Sequence, residues 1–255
     1  MDFVLLFIAG LAIGSFLNVC IHRVPRRISV CFPSSHCPLC KTPIRPMDNI
    51  PVFSFLILKG RCRHCGARIR WQYPVVELAS GLLLLLSYFK FGFSFELLLY
   101  YAFCCALVVI TFVDLEFRII PDTITLPFMV LGLAGSVFSG LGLAQSLLGI
   151  IVGGGSLTLV GYVYTKITKV EGMGGGDVKL TAMMGAFLGW KAVLIVIFVA
   201  SLAGSALGIV LMLMFRMSRR TPIPFGSFLA PVGIVVLLCW SRLVEWYLSN
   251  AGIGH

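Results

Sequence analysis

Gly172-Met173-Gly174-Gly175-Gly176-Asp177-Val178-Lys179 is a glycine run that ends in a carboxylate where an apolar segment begins. A glycine loop ahead of a helix can cradle phosphate, but a P-loop needs a Gly-Lys-Ser/Thr ending, and here an acid stands where phosphate would be repelled. Phosphate binding is therefore excluded as the reading. What remains is a backbone freed from Cβ sterics, able to approach a ligand closely, with Asp177 near the positive end of the helix that follows.

The surrounding chain fixes what kind of helix that is. Of its 255 residues, 59% are apolar and only 12% charged, with a mean hydropathy of +1.01. Apolar stretches of nearly twenty residues recur along it, which excludes an ordinary soluble domain and defines a polytopic membrane protein. Outward from the glycine run, apolar segments are expected at about 3–21, 74–90, 95–113, 122–139, 143–165, 178–190, 192–215 and 226–247. The fold class is thus an all-α integral membrane protein of about eight transmembrane helices. The first segment lacks the basic n-region of a cleaved signal peptide and is expected to be retained. The boundary between 178–190 and 192–215 rests on Gly189-Trp190-Lys191 alone.

Charge orients the spans. With the N-terminus on the periplasmic side, residues 22–73 hold ten Lys or Arg, 114–121 hold one, and 166–179 and 216–225 hold three each. These loops all face the cytoplasm in that arrangement, leaving only Lys90, Lys191 and Arg242 on the other side, as the positive-inside rule demands. The net charge of +10 is thereby explained without nucleic acid. The chain divides into a first transmembrane helix at 1–21, a polar cytoplasmic domain at 22–73 and a membrane core at 74–255.

This topology places two acids together. Asp114 closes the third span and Asp177 opens the sixth, both at the cytoplasmic edge. Either alone reads equally well as a solvated helix-end carboxylate. Together they suit an aspartic peptidase, in which one carboxyl keeps its proton while its ionised neighbour activates water against a peptide carbonyl. The four histidines, His22, His36, His64 and His255, neighbour no nucleophile in a span, so no Ser-His-Asp arrangement competes.

The polar domain carries Cys37-Pro38-Leu39-Cys40 and Cys62-Arg63-His64-Cys65, two Cys-x-x-Cys pairs separated by 21 residues. On the reducing cytoplasmic side this is the spacing of a four-thiolate structural zinc site, closing a small zinc-ribbon-like domain that burial alone could not fold. Cys20, Cys31, Cys104, Cys105 and Cys239 read mostly as apolar helix residues.

Five strings now stand in order along nearly the whole chain. They are Gly14-Ser15-Phe16-Leu17-Asn18-Val19, the cysteine pairs flanking Asn49-Ile50-Pro51, Tyr73-Pro74-Val75-Val76-Glu77, Asp114 with Ile120-Pro121-Asp122, and Gly174-Gly175-Gly176-Asp177-Val178-Lys179. Together they resemble the type IV prepilin peptidases, membrane aspartic peptidases of the Gly-x-Gly-Asp type. The resemblance implies a bacterial inner-membrane enzyme that removes the short basic leader from type IV prepilins and type II secretion pseudopilins, with Asp114 and Asp177 as its catalytic pair. Pilus or type II secretion machinery and membrane lipid are the partners it implies. Members with the cysteine-bearing domain commonly also N-methylate the new terminal residue from S-adenosylmethionine. No Rossmann-type fingerprint is present, so the cofactor-binding residues stay unknown.

Supporting roles near the site fall to Gly174 and Gly176, to Lys179 beside Asp177, to Asp122 as a helix cap or an acid facing substrate, and to Glu77 one turn inside the second span. Glu116 and Glu171 join Asp122 as acids able to meet a basic leader. Two other readings use the same residues: a non-enzymatic docking component of a pilus or secretion machine, and a Gly-x-Gly-Asp intramembrane protease with another substrate. The first gives no reason for both acids at one face; the second gives none for the cysteine pairs.

Overall fold

The computed structural model describes residues 3–32, 34–169, 174–215 and 224–250. The described residues are helical with no strand; only two isolated β-bridges occur, His36 with Pro43 and Arg61 with Arg68. Contacts group the chain into two units, Met1–Val109 and Ile110–His255.

In the first unit, helix α1 (Phe3–Arg23) packs against α3 (Gln72–Phe91). The two backbones meet at small residues, as membrane helices do where no hydrophobic force draws them together. A Cβ at Gly10 would stand 2.7 Å from Gly81 Cα, and one at Gly14 would stand 2.6 Å from Glu77 Cα. Between these helices lies the cysteine module, with a 3-10 turn at Pro46–Asn49 and the short helix α2 (Phe53–Ile57). Helix α4 (Phe95–Phe117) begins where the Ser94 hydroxyl accepts a hydrogen bond from the Leu97 amide, and it runs into the second unit.

The second unit adds α5 (Asp122–Gly135), α6 (Leu143–Thr168), α7 (Gly175–Phe215) and α8 (Gly226–Asn250). Here α6 and α7 touch through their backbones. A Cβ on Gly149 would strike the Gly185 carbonyl and one on Gly153 would strike that of Thr181, while Ser146 Oγ donates to the Ala186 carbonyl at 2.8 Å. Gly154 continues this close face, a Cβ there meeting Ala182 Cβ at 3.3 Å, but a Cβ on Gly155 would meet nothing within 4 Å.

Each expected apolar segment overlaps a helix, the fourth ending at Gly135 rather than 139, and five helices among the described residues are long and apolar enough to cross a membrane. Helix α8 is of similar length, with 25 residues, and α5 is shorter. Helix α5 has 14 residues, a rise of about 21 Å against a hydrocarbon core of about 30 Å. Helix α7 is two arms: Gly189 has φ 77° and ψ 172°, a backbone state open essentially to glycine alone, so helix breaks between 175–188 and 190–215. The expected boundary at Gly189-Trp190-Lys191 is therefore a real break in the backbone. Outward faces carry large apolar side chains such as Val4, Leu98, Ile151 and Phe198, each more than 60% exposed, as lipid contact requires.

Candidate functional site

Asp114 occupies the last turn of α4 and is only 4% exposed. Its Oδ2 accepts a hydrogen bond from the backbone N–H of Ser227 at 2.8 Å. Ser227 and Gly226 are the first two residues of α8, so the positive end of that helix is aimed at the carboxylate. The approach is tight enough to require glycine: a Cβ on Gly226 would lie 3.0 Å from Asp114 Oδ2 and 2.7 Å from Ile120 Cδ1.

Asp177 is the third residue of α7, half-buried, and its carboxylate is electrostatically coupled to Asp114. The link between α4 and α5 helps to bring them together. Ile120 lies against both helix starts, because a Cβ on Gly176 would come within 3.0 Å of Ile120 Cβ. Three helix ends thus meet around one isoleucine: the exit of α4 with Asp114, the start of α7 with Asp177, and the start of α8 with the Ser227 amide that holds Asp114.

The supporting residues distribute unevenly. Gly174 is exposed, and a Cβ there would stand 3.5 Å from Asp177 Oδ2. Lys179 turns its ammonium to Asp122 Oδ2 at 2.6 Å, the two side chains being 43% and 52% exposed. Asp122 is the first residue of α5 and caps nothing, since Pro121 holds the cap position without a side-chain hydrogen bond. The ion pair instead clasps the first turn of α7 to that of α5. Glu116 lies exposed two residues beyond Asp114; Glu171, with Gly172 and Met173, lies outside the described residues.

Glu77 is elsewhere, in the first unit. It is 7% exposed, accepts from the Val52 amide at 2.8 Å and bonds the Ser15 hydroxyl. Val52 needs that anchor, for its φ of 61° is rare in a β-branched residue. One turn away Asn18 Nδ2 donates to the Tyr73 carbonyl at 3.0 Å. The two strings Gly14–Val19 and Tyr73–Glu77 are thus one polar junction between α1, α3 and the module.

In the module the four sulfurs of Cys37, Cys40, Cys62 and Cys65 lie within 4.8 Å of one another, and Cys37 and Cys65 are 3.8 Å apart. Four thiolates held tetrahedrally about 2.3 Å from a zinc ion would be about 3.8 Å apart, so the set fits a metal of that kind. The halves are one structure repeated 25 residues on. Cys37 N–H bonds Thr42 O as Cys62 N–H bonds Ala67 O; Ile44 N–H bonds Ser35 O as Ile69 N–H bonds Gly60 O. Local donors tune the thiols. Hydrogen bonds from the side chain and then the backbone of Thr42 lower the Cys40 thiol to about 6, and the amides of Cys65 and His64 lower that of Cys62. At Cys65 the Ala67 amide pulls downward, yet desolvation and the neighbouring sulfurs push the thiol up to about 11. A cation bound there would displace the remaining thiol protons.

Sequence reasoning missed Gly226 and Ser227. The signal was there in Pro224-Phe225-Gly226-Ser227 ahead of an apolar run, a helix-start signature, but nothing local says that this start faces Asp114.

A multi-helix membrane protein with two acids at converging helix ends and a four-cysteine module has the outline of a membrane enzyme of the aspartic class. Comparison with known proteins gives the family. Residues 8–91 match the bacterial peptidase A24 N-terminal domain and residues 101–209 match the type IV leader peptidase family. A protein of Aeromonas salmonicida is 37% identical over 97% of this chain and 94% of its own length. One of Xanthomonas campestris pv. campestris is 38% identical over 96% and 93%, and one of Pseudomonas aeruginosa 36% over 95% and 92%. Each bears the name prepilin leader peptidase/N-methyltransferase. The chain belongs to the type IV leader peptidase family. No solved structure matches it.

Proposed function

We propose that this protein cleaves the basic leader from type IV prepilins and type II secretion pseudopilins, and then N-methylates the new N-terminal residue from S-adenosylmethionine. The observation that supports the peptidase reading is the convergence around Ile120 of the helix ends that carry Asp114 and Asp177. The names of the relatives support the second activity.

In this mechanism the two carboxyls hold one proton between them. The ionised member takes a proton from water as the oxygen attacks the scissile carbonyl, and the protonated member donates to the carbonyl oxygen. Collapse of the tetrahedral intermediate breaks the C–N bond, and the proton gained from water passes to the leaving amine. The Ser227 amide holds one Asp114 oxygen and so orients the carboxyl. Exposed Gly174 leaves room for an extended substrate backbone beside Asp177. Glu116 and Asp122 are acids suited to a basic leader.

The chain is read as a first span at 1–21, a zinc-binding cytoplasmic module at 22–73 and a peptidase core at 74–255. It sits in the bacterial inner membrane with the N-terminus periplasmic and both acids cytoplasmic, where a leader peptide lies. Zinc, held by Cys37, Cys40, Cys62 and Cys65, would supply structural closure of the module and no reaction step. Pilus or type II secretion machinery would receive the product.

The test is incubation of purified protein with a prepilin and S-adenosylmethionine, followed by mass measurement of the product's N-terminus. Wild type should yield a shortened, methylated chain, and Asp114→Asn or Asp177→Asn should yield neither cleavage nor a shorter product. Cleavage persisting in either variant would remove that residue from the pair. A reporter fused after Lys169 should read cytoplasmic, and a periplasmic signal there would mean that the span count is wrong by one.

A further inference from the structure

The face of the cysteine module nearest the start of α3 is unlike an aqueous surface. Helix α2 turns Phe53, Leu56 and Ile57 outward at 61%, 64% and 73% exposure, and Trp71, the residue before α3, is 73% exposed. Phe55 beneath them is buried and packs on the Trp71 ring with centroids 4.9 Å apart. Beside this apolar cluster runs a groove of about 460 Å³, lined by Leu56 and Trp71 together with Lys59, Arg61, Arg68 and Arg70.

We propose that this groove seats the phosphate headgroup of an anionic phospholipid, with α2 and Trp71 lying among the glycerol and upper acyl groups. Three observations converge on lipid. The apolar side chains stand at the residue where a membrane span begins, which is the depth at which tryptophan anchors sit. Cations gathered just outside a span attract anionic headgroups, and no acid lines the groove. Asp48, the acid of the module, already accepts two-pronged hydrogen bonds from Arg63. An acidic peptide would match the cations but leave four exposed apolar side chains in water; a phospholipid satisfies both halves with one molecule.

The proposal does not depend on the peptidase reading, and its test needs no activity. Purified full-length protein in detergent is titrated with phosphatidylglycerol, phosphatidylcholine of the same acyl chains, inorganic phosphate and a glutamate-rich peptide, and bound species are counted by native mass spectrometry. Phosphatidylglycerol should be retained in preference to phosphatidylcholine. The variant Lys59→Gln/Arg61→Gln/Arg68→Gln should weaken that retention on the order of a hundredfold, given the usual worth of each cation near an anionic surface. A second variant, Leu56→Gln/Trp71→Gln, should also weaken it and decides the matter if the first fails to purify with its metal. Equal retention of both lipids, or undiminished phosphatidylglycerol binding in a folded variant, overturns the proposal. So does displacement of the lipid by inorganic phosphate or by the peptide at equal concentration, which would make this a small-anion or protein-binding site.

Discussion

Gly226→Ala is the smallest change that reaches the acid pair without touching either acid. The added Cβ would lie 2.7 Å from Ile120 Cδ1 and 3.0 Å from Asp114 Oδ2. Ile120 can swing its terminal methyl aside, but the carboxylate cannot retreat without lengthening the 2.8 Å bond from the Ser227 amide. A hydrogen bond to a charged group is worth about 1.5–3 kcal/mol, so losing its geometry entirely would slow the reaction about 10- to 150-fold. Because a shift of a few tenths of an ångström weakens the bond without abolishing it, the expected fall in kcat/KM for prepilin cleavage is about tenfold. Gly226→Val, with two further methyl groups at the same place, should cost more. The assay is the initial rate of leader removal by purified variants matched for membrane yield. If Gly226→Ala cleaves at the wild-type rate, the start of α8 does not set the position of Asp114, and the role assigned to the Ser227 amide is wrong.

Other substitutions test the frame. Gly189→Ala forces a side chain into the backbone state at the break in α7 and should cost about 1–3 kcal/mol, read as a lowered Tm in detergent. Glu77→Ala strips the Val52 amide of its buried acceptor and should cost about 1–3 kcal/mol, whereas Glu77→Gln keeps an acceptor and should lose less. A double-mutant cycle on Asp122 and Lys179 should return a coupling of about 0.2–1 kcal/mol, because both side chains are well exposed; a larger value would mean that the pair does more than clasp two helices. Metal analysis should find about one zinc per chain, lost in Cys37→Ser/Cys62→Ser.

What the sequence made legible was local. Apolar runs fix membrane helices because the bilayer leaves the backbone no other partner, and two Cys-x-x-Cys pairs announce a metal knuckle whatever surrounds them. Asp177 could be singled out because it follows a glycine run where an apolar segment begins, and Asp114 because the charge-derived topology puts it at the same membrane edge. The relations between distant segments were not legible. That Ser227 answers Asp114 across 113 residues, that Lys179 turns to Asp122, and that Glu77 reaches back to Val52 all depend on how helices pack. Hydropathy already showed the segment at 178–190 to be short, but it carried the fourth segment to 139 where helix α5 ends at Gly135, since apolar content marks a span more surely than where its helix stops.

The repeated knuckle has unequal halves. At matching places, four residues beyond the first cysteine of each half, the backbone turns left-handed, at Lys41 with φ 56° and at Gly66 with φ 68°. Glycine adopts that turn freely, while a lysine is held in it against a penalty of about 1 kcal/mol or more. The module is thus expected to come apart from one side: under a chelator, the amides around Cys37 and Lys41 should exchange with solvent before those around Cys62 and Gly66. Lys41→Gly should erase that order of release.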